Sequence, residues 1–148
     1  MTTIQCLSPV DGRIYAEREA LPLAEAEAAA ARAKSAQKAW AARPLDERIA
    51  LVMAGVDALN AMKEPVVEEL AWQMGRPTRY GGEFGGMNER SRYMAGIAAE
   101  ALAPTLVEDG ATFRRYIARE AVGVVLVIAP WNYPYMTAMN TIVPALIA

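Results

Sequence analysis

Histidine is absent from the 148 residues and cysteine occurs once, as Cys6. Without histidine the chain lacks the usual neutral-pH base and the usual metal ligand, so a zinc site or a Ser-His-Asp triad within it is excluded. A single cysteine closes no intramolecular disulfide. With a net charge of -2 and scattered basic residues, there is no positive stripe of the kind that nucleic acid or anionic lipid selects. The longest apolar runs are interrupted by Gly, Pro, Asn or a charge before they reach a membrane-spanning length. The opening MTTIQCLSPVDGR has no basic region leading into an apolar run, so no secretory signal is visible. The expectation is a soluble cytoplasmic protein with no nucleic-acid and no membrane partner.

What is present is an ordinary globular balance, 54% apolar and 22% charged, long enough for one domain with a sizeable core. Residues 4–19 place β-forming residues on both sides of Ser-Pro-Val-Asp-Gly, a hairpin pattern. An alanine-dominated helix follows Pro22 and runs to Trp40 and Ala42. Pro44 suits the start of a second helix, in which Ile49, Val52, Met53, Val56 and Leu59 recur at helical spacing. A third helix over 63–74 has Pro65 near its start and Gly75 just past its end. The segment YGGEFGG reads as a glycine-rich loop or loose helical start. The chain is helical by Asn88, with Tyr93, Met94, Ile97 and Leu102 facing inward.

After Pro104 the texture changes. Residues 105–120 read as two half-polar strands around Asp109-Gly110, fit for an edge or a protruding arm. VGVVLVIA, residues 122–129, is apolar on both faces, as a buried central parallel strand requires. It breaks at Pro130-Trp131-Asn132-Tyr133-Pro134, and a helical pattern follows. In open α/β sheets, ligands bind beyond the carboxyl ends of the strands, where helix N-termini also point. Asn132 sits there between two prolines that restrict the link. Its neutral amide can donate to an oxygen that gains negative charge in a transition state. The bland alternative is that Asn132 caps the helix, a role its residue type favours. Tyr133, Met136, Thr137 and Asn140 share one face of that helix at i, i+3, i+4 and i+7, with ordinary core contact as the alternative for each.

VGVVLVIAPWNYP followed by PALIA resembles the NAD(P)-dependent aldehyde dehydrogenase superfamily, whose members carry Pro-Trp-Asn-Phe/Tyr-Pro after such a strand. Trp40, Arg48 and Leu51 are similar to the family's second helix, Gln73–Pro77 (QMGRP) to its Glu-Thr/Ser-Gly-Lys-Pro segment, and ARE-AVGVV to its Arg-x-Pro-x-Gly-Val-Val lead-in. The resemblance implies an α/β fold, the N-terminal part of a Rossmann-type coenzyme-binding domain. It divides the chain into residues 1–103 (hairpin, then helices), an oligomerisation arm at 104–121, and the first sheet strand with its helix at 122–148. Asn132 would supply the side-chain half of an oxyanion hole. Ile128, Ala129, Pro130 and Trp131 would line the cleft for NAD or NADP, and Tyr133, Met136, Thr137 and Asn140 would border the tunnel for a small-molecule aldehyde. A homodimer or homotetramer through residues 104–121 is implied as well.

The chain departs from the family pattern at Thr141, where most members have Lys, at Gln73 (usually Glu) and at Ala121 (usually Pro). The family's nucleophilic cysteine, general-base glutamate and glycine-bearing cofactor loop have no counterpart here; Cys6 is expected to be a buried, inert thiol. The sequence is therefore expected to be an N-terminal segment of a longer enzyme. That enzyme would oxidise an aldehyde to an acid through cysteine attack, hydride transfer to NAD(P)+ and thioester hydrolysis. Two alternatives stand beside it, a non-catalytic assembly module built on 104–121 and a coenzyme-A-acylating relative.

Overall fold

A computed structural model describes residues 2–148. The chain begins with an antiparallel hairpin, β1 (Thr3–Leu7) and β2 (Ile14–Glu19), as its turn chemistry predicts. Four helices follow: α1 (Leu23–Ala41), α2 (Leu45–Ala61), α3 (Lys63–Met74) and α4 (Phe84–Leu102). A second antiparallel hairpin pairs β3 (Thr105–Asp109) with β4 (Arg114–Ile117), and α5 (Pro134–Ile147) ends the chain.

One apolar cluster joins α2, α3, α4 and α5. It contains Val52 and Val56, Val66 and Leu70, Phe84, Met87 and Ala98, and Val143 and Ile147. The α2 periodicity is met: Val52 and Val56 are buried, with Ile49, Met53 and Leu59 packed on the cluster. α1 buries no residue completely; its anchor is Trp40, which packs against the cluster. α3 closes on Gly75 in the left-handed conformation (φ 74°), as the sequence indicates.

α4 starts at Phe84, one turn earlier than Asn88, and its inward face differs from expectation. Met87, Ser91, Met94, Ala98 and Leu102 form the stripe, spaced 4, 3, 4 and 4 residues apart. Tyr93 and Ile97 fall off that stripe and are exposed. Ser91 is tolerated at full burial because its hydroxyl donates to the Met87 carbonyl at 2.7 Å. Cys6 is only half-buried, with its Sγ 3.8 Å from the Gln73 carbonyl oxygen.

The expected buried strand over 122–129 is corrected within this chain. Among the described residues, both sheets are isolated hairpins, and residues 121–130 join no ladder. Exposure alternates only at the end of the segment: Leu126 and Ile128 are 83% and 84% exposed and Val127 and Ala129 half-buried, whereas Val122, Val124 and Val125 are all exposed. One face lies over a cavity of about 410 Å³ shared with Ala36 and Trp40 of α1 and Ile142 and Leu146 of α5. The other face meets nothing. A parallel strand needs neighbours on its edges and cover on both faces, and these residues provide cover on only one.

Candidate active site

Asn132 lies in the bend between Pro130 and the first turn of α5. It is exposed and is not the helix cap: the N-cap residue is Tyr133, and no side chain of its own caps the helix. The cap comes from another part of the chain. Glu83 Oε2 accepts from the Met136 backbone N–H at 2.7 Å, in the first turn of α5. A carboxylate there satisfies an otherwise unpaired amide and faces the positive end of the helix dipole.

Glu83 reaches that point because of how α4 begins. Gly81 and Gly82 both hold positive φ, 62° and 66°, and turn the chain sharply out of a single 3-10 turn at Thr78–Tyr80. A Cβ on Gly82 would lie 3.1 Å from Val67 Cγ2, so the turn presses against α3. Glu83 is then the N-cap residue of α4, and its carbonyl accepts from Met87 N–H at 2.9 Å. Its backbone thus starts α4 while its side chain caps α5.

Arg76 completes the cluster. Its guanidinium donates to Glu83 Oε1 at 3.0 Å, with side-chain exposures of 12% for Arg76 and 0% for Glu83. It also donates to the Asn132 backbone carbonyl and lies over the Tyr133 ring, 4.4 Å from its centroid. The planar, multiply donating guanidinium suits this combination of carboxylate, carbonyl and ring. Tyr135 stacks on Phe84 at 6.2 Å; burial, then the nearby Glu69 and Glu83, pushes its hydroxyl above the ordinary tyrosine pKa.

The far end of α5 is held in the same manner. Trp40 Nε1 donates to the Leu146 carbonyl at 2.7 Å, and Arg48 Nε to the Ile147 carbonyl at 2.9 Å. Arg48 also ties down the α1–α2 junction through the carbonyls of Ala41 and Arg43, at 3.1 and 3.0 Å. Trp40 and Arg48 thereby gain a physical role: their donors satisfy the terminal carbonyls of the helix that follows Asn132.

Among the other sequence-identified residues, Ile128 and Trp131 are exposed, with Trp131 at 78%. Pro130 is exposed and Ala129 half-buried. Tyr133 is exposed, whereas Met136, Thr137 and Asn140 are half-buried. Met136 and Asn140 continue the stripe of Val143 and Ile147 along α5. The Met136 sulfur crosses α4 at Gly86, where an added Cβ would lie 2.9 Å from it. Sequence reasoning missed Arg76 and Glu83 as site residues. The available signal was an acid framed by two glycine pairs, Gly81-Gly82 and Gly85-Gly86. Among the described residues no group of three potential metal ligands occurs, and no helix is long and apolar enough to cross a membrane.

An NADP-dependent glyceraldehyde-3-phosphate dehydrogenase from Bacillus halodurans, solved with NADP, superposes with a TM-score of 0.87 at 32% identity, over 99% of this chain and 32% of that one. The family model for the aldehyde dehydrogenase family matches residues 1–148, and the chain belongs to that family. It is similar to a vanillin dehydrogenase from Corynebacterium glutamicum, 32% identical over 145 residues, covering 95% of this chain and 29% of the relative. It is also 35% identical over 133 residues to an NAD+-dependent benzaldehyde dehydrogenase from Pseudomonas putida, covering 82% of this chain and 25% of the relative. The chain thus spans less than a third of the length of these curated relatives.

Proposed function

We propose that these residues form the N-terminal part of the coenzyme-binding domain of an NAD- or NADP-dependent aldehyde dehydrogenase, a cytoplasmic enzyme that oxidises an aldehyde to a carboxylic acid. The observation carrying this is Asn132: its side chain is relieved of capping by Glu83 and is exposed at the tip of an apolar segment. A fixed neutral amide there is suited to donating to the aldehyde oxygen as it becomes negative under nucleophilic attack. The nucleophile and base come from residues outside these 148.

The exposed apolar strip from Ile128 to Trp131, with small Ala129 between them, offers flat contact for a nicotinamide ring and its ribose. Bound there, NAD(P)+ supplies the hydride acceptor. Ile128, Ala129, Pro130 and Trp131 would line one side of the bound ring and exclude water there. Tyr133, Met136, Thr137 and Asn140 contribute the α5 border of the aldehyde tunnel, in which Asn140 offers a polar end. Residues 122–129 become a sheet strand once the rest of the protein supplies its neighbours and covers Val122 and Leu126.

In the full-length enzyme Asn132→Ala lowers kcat by about 10²–10³ if the amide serves the oxyanion. An unchanged kcat contradicts that role. The arm proposal for 104–121 is favoured by the β3–β4 ribbon, whose Leu106, Val107, Phe113, Tyr116 and Ile117 are all exposed. It makes the enzyme a homodimer or homotetramer, and a monomeric mass by light scattering rejects it.

A further inference from the structure

We infer that Arg76 and Glu83 are positioning residues for Asn132, holding the loop that presents its amide from both ends. This deepens the oxyanion reading above and rests on it. Pro130 and Pro134 fix φ only at their own positions and leave the torsions of Trp131, Asn132 and Tyr133 to be set by something else. The ion pair sets them. Arg76 holds the Asn132 carbonyl and the Tyr133 ring, and Glu83 holds the Met136 N–H four residues further on. The 3.0 Å link between the two side chains closes the frame.

The frame is anchored away from the loop. Arg76 directly follows the left-handed Gly75 that ends α3, and Glu83 begins α4, so the loop is referenced to the α3–α4 junction. Burial of the Glu83 side chain limits water's competition for its bonds to Arg76 and to Met136 N–H, while the Arg76 bond to the Asn132 carbonyl lies at the surface. The Asn132 side chain makes none of the bonds in the frame. Its backbone is constrained while its amide is left for a ligand. An oxyanion donor works only when it is placed within a fraction of an ångström, and loosening of about 1 Å is enough to lose activity.

The test is a pair of double-mutant cycles on the full-length enzyme, combining Arg76→Gln and Glu83→Gln separately with Asn132→Ala. At position 76 glutamine keeps an amide donor but not the charge, the fork or the ring contact; at position 83 it keeps an acceptor for Met136 N–H but not the ion pair. Each single variant is expected to lower kcat about ten- to a hundredfold with KM within about twofold, and to lower it no further once Asn132 is alanine. Losses of equal size in both backgrounds, or folded single variants with normal kcat, overturn the positioning role while leaving the oxyanion reading intact. Should Asn132→Ala itself leave kcat unchanged, the oxyanion reading fails and the positioning role with it. If Glu83→Gln does not fold, the Arg76→Gln cycle decides alone.

Discussion

Helix α5 and the segment 122–129 that leads toward it are both apolar, and the fold treats them differently. α5 buries Val143 and Ile147, and side chains from distant positions satisfy backbone groups at both of its ends. Residues 122–129 pair with nothing among the described residues and leave Leu126 83% exposed. A helix satisfies its own backbone internally and needs help only at its termini. A parallel strand depends on neighbours for every hydrogen bond. Within this chain the helix can therefore be finished, whereas the strand cannot.

The sharpest way to break the clamped side of this contrast is Glu83→Ala. It leaves the Arg76 charge buried with its acid partner removed and is expected to cost about 3–5 kcal/mol in stability. Urea unfolding of the full-length enzyme measures it, and a loss below about 1 kcal/mol would show that the pair is solvated. On the open side, Leu126→Ala in the same enzyme should cost about 2–5 kcal/mol, as for a core leucine. A change within about 0.5 kcal/mol, as for a surface site, would mean that nothing covers this face. The smallest expected effect is at the far end of α5. Trp40→Phe keeps an aromatic ring but loses the donor to the Leu146 carbonyl, for about 0.5–1.5 kcal/mol; no change in the denaturation midpoint would show water replacing it.

Local chemistry made much of the fold legible. Pro44 marked the start of α2 and Gly75 the end of α3, the spacing from Ile49 to Leu59 marked the α2 core face, and Asp109-Gly110 marked the β3–β4 turn. The stripe on α4 was misjudged at Tyr93 and Ile97 because apolar character, without a partner surface, does not choose between two overlapping faces. At the site, Asn132 was identifiable from its proline frame, but its two possible roles were not separable. Which one applies depends on Glu83, 53 residues from the Met136 amide it holds, and on Arg76, 56 residues from the Asn132 carbonyl. No short-range pattern links those positions. Arg48 was noticed only through a resemblance and Trp40 otherwise only as part of the first helix; their carbonyl partners lie 99 and 106 residues away.

We propose that the uncharged Asn132 amide, carried on a held backbone, faces the oxygen of the reacting aldehyde. The most direct test is a crystal structure of the full-length enzyme with an aldehyde trapped covalently in the site. Asn132 Nδ2 is predicted to stand about 2.7–3.1 Å from the former carbonyl oxygen, within hydrogen-bond reach. An adduct whose oxygen is held by other donors, with Asn132 turned away and beyond that reach, would contradict it.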